Sequence, residues 1–488
     1  MTTEYSAKGN YIGGKWTDAH GHGFTSIDPA SGAQIWQGVE STSADVDAAF
    51  RAARTAFEAW SETSLEERRD IVLRFKDIAL ANKDKLGELI ARETGKVLWD
   101  ASGEAGAVAG KVDISLKSYA DRTGSSSTET AFGRADLQHR PHGVMAVLGP
   151  YNFPAHLPNG QIIPALIAGN TVVFKPSEQC PAVGEFMAGL YEQAGFPPGV
   201  INMVQGARDT GAAVLDHGEV DGVLFTGAAG TGKFIHEKFG GRPEIILALE
   251  LGGNNPLLLW DVADTNAAAS IIVQSGFITS GQRCTCARRI LLPEGKAGDA
   301  VQDAVIAMVE SMKVGAWNDA DEAFIGPVIS AGIASHVVER AHKLGGQVIR
   351  QTEIMQRGAA FIRPGIVDVT GVQVPDEEIF GPVMQIIRVP TLEAGIAEAN
   401  NTRFGLSAGL ISDNPKNWDV FKRKIRAGVV NFNRPTTGAA GFLPFGGPGA
   451  SGNHNPGAYY AADFCAWPMA SQISDTVETQ PAKGLSTC

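Results

Sequence analysis

From about residue 143 onward, short apolar runs alternate with segments of helical character, and this alternation restricts the fold more than any other feature. GVMAVLGP is followed by the apolar IIPALIA, then NTVVFKP, a helix near 182–194, INMVQG, GVLFTG, a helix from about 230 and IILALELGG. Strands that are apolar at nearly every position are buried on both faces. That calls for a parallel sheet with helices on both sides. Ligands of such sheets bind beyond the carboxyl ends of the strands. Asn152, the Lys175–Glu178 segment, Gly227–Gly232 and Glu250 all fall at such ends. The second half repeats the alternation: a helix over 264–278, RRILLPE, helices at 298–312 and 330–344, GQVIR, a helix near 392–400, AGLIS and AGVVNFN. It reads as a second α/β domain.

The segment before this alternation differs. NYIGGKW and AQIWQGV read as short strands separated by the turn-rich DPASG. Val46, Ala49, Phe50, Ala53, Phe57 and Trp60 form one helical stripe. Ser64 and Glu67 form a capping box for a second helix, and a third ends at Gly95, which suits a C-cap. Segment 122–142 is polar and interrupts the pattern, as an excursion from the core would.

At 488 residues the chain exceeds one compact core, so two to four domains or lobes are expected. With a net charge of −12 and no dense Lys/Arg block, it suits neither nucleic acid nor an anionic membrane. No apolar run is long enough to span a bilayer, and the first residues carry no secretion signal. The five cysteines, Cys180, Cys284, Cys286, Cys465 and Cys488, are sparse and odd in number. This pattern suits free thiols in a reducing cytoplasm.

Four stretches could carry chemistry. GAAGTGKF, 227–234, satisfies the Walker A pattern except at its last position, where Phe234 replaces the magnesium-binding hydroxyl. A defective nucleoside triphosphatase loop, a metal-free pyrophosphate site and a chance match all remain open on that segment alone. In GFITSGQRCTCARRI, Cys284 and Cys286 lack the spacing and the second pair that a zinc site needs. Either one of them is a nucleophile, its thiolate favoured by Arg283, Arg288 and Arg289, or both are buried thiols. Glu250 ends an apolar run, where burial would raise its pKa and suit a general base; a paired carboxylate is the alternative. Asn152 follows a strand end, either as an oxyanion donor or as an ordinary turn residue.

Taken together, GPYNFP, FKPSE, FTGAAGTG, LELGGNNP, FITSGQRCTCA and EEIFGPV resemble, in order and spacing, the motifs of the NAD(P)-dependent aldehyde dehydrogenase superfamily over about residues 10–470. Within it, GPYNFPAHLPNG, GQRCTCARR and LPFGGPGASGNHNPGAYYAADFCAWPMAS are similar to the succinylglutamate-semialdehyde dehydrogenase group. One position departs from that group: Asn455 stands where an Arg is usual.

The resemblance implies the aldehyde dehydrogenase fold: a Rossmann-like parallel-sheet NAD domain (1–121 and 143–250), an α/β catalytic domain (251–452), and a small β oligomerisation flap with the tail (122–142 and 465–488). It implies that Cys284 attacks the aldehyde carbon to give a thiohemiacetal, with Asn152 and the Cys284 N–H stabilising the oxyanion. Hydride leaves for nicotinamide, and water activated by Glu250 hydrolyses the resulting thioester. NAD, preferred over NADP because of Glu178, would be held by Pro150, Tyr151, Lys175, Ser177, Glu178, Gly227, Ala228, Gly230, Gly232, Leu251, Glu378 and Phe380. No metal is needed, Phe234 is free to pack into the core, and Lys233 becomes a solvated helix residue. Arg283 and Asn455 are candidate substrate contacts, although Arg283 could instead form a salt bridge that orients the cysteine loop. The substrate implied is a small aldehyde, N-succinyl-L-glutamate 5-semialdehyde of arginine catabolism, and the assembly implied is a homodimer or a dimer of dimers. A general dehydrogenase for aromatic or aliphatic aldehydes, a CoA-acylating enzyme and a non-catalytic scaffold are the competing readings. Glu250 argues against the CoA-acylating one, because that reaction needs no hydrolytic base.

Overall fold

The computed structural model describes residues 5–131, 133–479 and 482–485; Cys488 lies outside them. Two seven-stranded sheets dominate. The first contains β1 (Asn10–Ile12), β2 (Lys15–Thr17), β3 (Val144–Leu148), β4 (Thr171–Lys175), β5 (Ile201–Met203), β6 (Gly222–Gly227) and β7 (Ile246–Leu251), in the order β7-β6-β3-β4-β5-β1-β2. Its five later strands run parallel, and the β1–β2 hairpin adds antiparallel to one edge. Both faces are covered. Met145, Val147, Val172 and Phe174 enter one core, while Val144, Ala146, Leu148 and Val173 enter the other. That is why the strands read as unbroken apolar runs.

The second sheet contains β8 (Asn255–Leu259), β9 (Ala287–Pro293), β10 (Gln347–Arg350), β11 (Gly365–Asp368), β12 (Val383–Val389), β13 (Ser407–Ile411) and β14 (Val429–Phe432), in the order β10-β11-β12-β9-β8-β13-β14. It is parallel except for β10. A third, three-stranded antiparallel sheet joins Ser126–Thr130, Gly133–Pro141 and Ala466–Ile473.

The helices around the first sheet are α1 (Ser43–Glu62), α2 (Leu65–Ala81), α3 (Lys83–Thr94), α4 (Leu98–Arg122), α5 (His156–Ala168), α6 (Pro181–Ala194), α7 (Arg208–Asp216) and α8 (Ala229–Phe239). Ser64 and Glu67 form the reciprocal cap on α2, and Gly95 ends α3 at φ 78°. IIPALIA lies in α5, a helix buried on every side from Pro158 to Ala168, so no polar face marks it as helical. Phe234 corrects the expectation that it packs inward, because it is 56% exposed. Helix α8 turns Gly232, Ile235 and Phe239 to the sheet, and Phe234 falls on the other side of the 3.6-residue turn. Lys233 lies on the solvent side, 3.5 Å from Glu237.

Candidate active site

Strand register brings the candidate residues of the first sheet to one edge. Leu148 pairs with Lys175 and with Phe225, and Thr226 pairs with Glu250. The chain leaving β3 carries Pro150, Tyr151 and Asn152; the chain leaving β4 carries Ser177 and Glu178; and the β6–α8 turn carries Gly227 and Ala228. All of these line one cavity of about 1090 Å³. Glu250, Leu251, Arg283, Cys284, Glu378 and Phe380 line the same cavity. Gly230, Gly232, Lys175 and Asn455 are not among its lining residues.

Cys284 sits on a loop held from several directions. Thr279, Ser280 and Gly281 are consecutively left-handed, at φ 56°, 55° and 71°. Two of the three are not glycine, and such residues hold this conformation only where surrounding contacts over-determine it. Thr279 donates to Asp100 (2.5 Å) and accepts from Arg283 Nε (2.8 Å), and Ser280 donates to the Gly326 carbonyl (2.6 Å). A Cβ on Gly281 would lie 2.1 Å from the Gly381 carbonyl oxygen, so the turn requires glycine. Beyond the turn, Asn255 Nδ2 donates to the backbone carbonyls of Cys284 (2.7 Å) and Cys286 (2.9 Å). Asn152 Nδ2 donates to the Gln282 carbonyl at 2.9 Å, which fixes the amide beside the loop. A second N–H on that nitrogen stays free for an oxyanion.

The electrostatics correct one expectation. The three arginines beside Cys284 are each engaged by a carboxylate, which offsets their field at the thiol. Arg283 is engaged by Asp100 at 2.7 Å, Arg288 by Glu378 at 3.4 Å, and Arg289 by Glu398 at 3.3 Å together with three backbone carbonyls. Burial pushes the Cys284 thiol up, the Glu378 and Glu250 carboxylates add to that, and Arg288 opposes it without prevailing. Glu250 is likewise raised to about 8 by burial, against the Gly457 N–H and the Lys111 charge. Its Oε1 accepts from Gly457 N at 2.6 Å, while Oε2 is buried without a partner. Burial lifts Glu378 to about 7, against Arg288. Cys286 is fully buried and packs, its Sγ 3.8 Å from the Ile278 carbonyl.

The cofactor-side residues fit a dinucleotide in part. The N-terminus of α8, opening after Ala228, faces the cavity and offers backbone N–H groups to a phosphate. Gly232 lets that helix approach β7, since a Cβ there would lie 2.3 Å from Leu251 Cδ2. Phe380 stands edge-on to Tyr151 at 6.0 Å. Lys175 is different: its Nζ donates to the Pro176 and Gly206 carbonyls at 2.8 and 2.6 Å. Glu178 Oε2 lies 3.8 Å from it, beyond hydrogen-bond reach.

Asn455 does not reach the cavity. Its Nδ2 donates to the Leu247 carbonyl at 2.6 Å, and Asn453 reinforces the same strand at Leu247 and Leu249. The 452–457 segment thus covers the open edge of β7, the strand that carries Glu250. Asn455→Ala is expected to lower stability by about 1 kcal/mol and to leave KM for the aldehyde unchanged. Chemical denaturation and steady-state kinetics check the two halves of that expectation.

The sequence model of the Aldehyde dehydrogenase family matches residues 16–467. The chain belongs to the aldehyde dehydrogenase family. It is an aldehyde-oxidising oxidoreductase of the α/β class that the two sheets display. It is 53% identical to the N-succinylglutamate 5-semialdehyde dehydrogenase of Caulobacter sp. (strain K31) over 470 residues, which is 96% of this chain and 97% of that protein. It is 50% identical to the protein of the same name from Escherichia coli (strain K12) over 476 residues, 97% of this chain and 96% of that one. A crystal structure of Mycobacterium tuberculosis aldehyde dehydrogenase complexed with NAD+ superposes at a TM-score of 0.90, with 27% identity, covering 98% of this chain and 100% of that one. An indole-3-acetaldehyde dehydrogenase complexed with NAD+ also gives 0.90, at 28% identity, covering 96% and 97%.

Several residues that build this dehydrogenase site escaped the sequence reading: Asp100, Lys111, His156, Gln161 and Asn255. Three of them lie on α4 or at the start of α5, stretches rich in Gly and Ala whose apolar period is weak. The one signal was a pair of charges, Glu104 and Lys111, in a stretch otherwise suited to close helix packing. No helix among the described residues is long and apolar enough to cross a membrane. No group of three or more His, Cys, Asp or Glu among them could hold a metal ion.

Proposed function

We propose that this enzyme oxidises N-succinyl-L-glutamate 5-semialdehyde to the corresponding acid with NAD. The observation that carries the substrate is identity of 50–53% across nearly the whole chain with relatives of that name. Cys284 is the nucleophile as its thiolate, once the thiol proton has passed to solvent; Asn152 Nδ2 and the Cys284 N–H hold the oxyanion, and Glu250 activates water against the thioester. NAD, when bound, accepts the hydride; the helix start at Ala228, Ser177, Glu178, Glu378 and Phe380 would hold it. Glu178 favours NAD, because its carboxylate would repel a 2′-phosphate. The first sheet and its helices form the cofactor part, the second sheet forms the catalytic part, and the three-stranded sheet is the surface through which copies pair. Its free, buried Cys180, Cys286 and Cys465 suit a reducing cytoplasm.

The departure at Asn455 lends the general-aldehyde reading no support, because that residue braces β7 outside the cavity. The test is cofactor reduction with N-succinylglutamate semialdehyde, succinate semialdehyde, benzaldehyde and a short aliphatic aldehyde, each with NAD and with NADP. The expected result is the highest kcat/KM with the first aldehyde and NAD. Equal or better turnover of benzaldehyde or the aliphatic aldehyde overturns the substrate, and equal use of NADP overturns the role of Glu178.

A further inference from the structure

Four cationic side chains of Lys or Arg line the cavity, and three of them are matched. Arg283 pairs with Asp100 at 2.7 Å, Arg340 with Glu377 at 2.5 Å, and Arg403 lies 4.0 Å from Asp376. Lys111 is the fourth. It is 5% exposed, yet it forms no ion pair or hydrogen bond among the described residues. A buried ammonium with no partner is strongly disfavoured unless something else compensates it.

The surroundings are built to keep this ammonium in the cavity. Lys111 is on α4, one turn beyond Ala107 and two beyond Gly103, and all three line the cavity on one helical face. The two small residues leave the space in front of it open. Across the gap, α5 presents Gly160, where a Cβ would lie 2.9 Å from Lys111 Cε. The glycine lets the lysine stem lie flat against α5. The next residue, Gln161, also lines the cavity; it donates to Thr226 Oγ1 at 3.1 Å and leaves its own Oε1 buried and unpartnered. His156 adds no charge, since burial, Lys111 and Lys96 depress it to about 3. Glu250 is near enough to support the Lys111 charge but lies beyond ion-pair distance, and burial still lowers Lys111 to about 8.

We propose that Lys111 is a specificity residue that binds a carboxylate of the aldehyde substrate, on the evidence of an unpaired ammonium held open to the cavity by Gly103, Ala107 and Gly160. The assignment rests on the substrate proposed above, whose molecule carries two carboxylates. It supplies what an acidic protein otherwise lacks at this place, a desolvated cation facing an anionic ligand.

The test uses the full-length enzyme and two pairs of aldehydes, each pair a carboxylate and its neutral carboxamide: succinylglutamate semialdehyde with its diamide, and succinate semialdehyde with 4-oxobutanamide. In Lys111→Met, kcat/KM for the carboxylates is expected to fall about 100-fold, mainly through KM, while the carboxamides change less than about threefold. Lys111→Arg is expected to recover part of the loss. Tm is expected to hold or rise in Lys111→Met, because a buried unpaired charge is replaced by an apolar side chain of similar length. An equal loss on carboxylates and carboxamides overturns the proposal, because it confines Lys111 to its interaction with Glu250. Unchanged KM for the carboxylates also overturns it. If the wild type prefers a carboxylate aldehyde other than succinylglutamate semialdehyde, the substrate assignment fails, and the carboxylate-to-carboxamide ratio in Lys111→Met still decides for or against Lys111. A wild type with no preference for either carboxylate over its amide overturns both.

Discussion

Cys284→Ala is expected to lower aldehyde oxidation by at least about 10⁴-fold with the fold intact. The loss follows from the chemistry, since without the sulfur no covalent intermediate forms and the two easier steps revert to one difficult one. Cys286 cannot take over, because it is fully buried and faces the Ile278 carbonyl rather than the cavity. The fold survives because the loop is fastened through backbone atoms. Asn255 grips the carbonyls of Cys284 and Cys286, and Thr279 and Ser280 bond to Asp100 and Gly326. Stability should therefore change by no more than about 1 kcal/mol. Thiol alkylation adds a second readout. Burial and the neighbouring carboxylates push the Cys284 thiol up, so its alkylation rate should still be climbing at alkaline pH. A rate already at its plateau at neutral pH would show that the thiolate is the resting form.

The apolar alternation around 143–251 predicts the parallel sheet because strands buried on both faces have no polar positions to obscure their limits. The same burial hides helices. α5 is buried on every side, so IIPALIA carries no period by which a helix could be told from a strand. The 25 residues of α4 gave no reading at all, because Gly103, Gly106 and Gly110 lower helix propensity while serving close packing. That helix carries Asp100 and Lys111, so its wall of the cavity was the least legible part. Cys284, Glu250 and Asn152 were legible as residues from their motifs. Their environment was not. The arginines beside Cys284 suggested a positive field, but Asp100, Glu378 and Glu398 arrive from remote segments to engage them. Charge in sequence is local, whereas compensation is tertiary. Asn455 shows the converse, since a departure in a substrate-specific motif proves to be a strand brace.

Glu250→Gln is expected to lower steady-state turnover by about 10³-fold, the scale of a lost general base, while leaving acylation of Cys284 largely in place. Single-turnover mixing should then show about one equivalent of reduced cofactor per active site, followed by a slow phase. Mass spectrometry of the quenched enzyme should find the acyl group on Cys284. Gln preserves the shape and can still accept from the Gly457 N–H, the contact Glu250 Oε1 makes at 2.6 Å, so misfolding does not explain the loss. The wild-type pH profile carries the sign. In the proposed role Glu250 acts as a carboxylate, and burial has raised it to about 8 against the Gly457 N–H and Lys111. Hydrolysis must therefore rise with pH through about 8, and that limb must vanish in Glu250→Gln. Lys111 titrates in the same range and supports the Glu250 charge, so the observed midpoint belongs to the pair. Lys111→Met is expected to move it upward, because the cation that favours the carboxylate is gone. A limb that persists unchanged in Glu250→Gln would assign it to another group and remove Glu250 from the hydrolytic step.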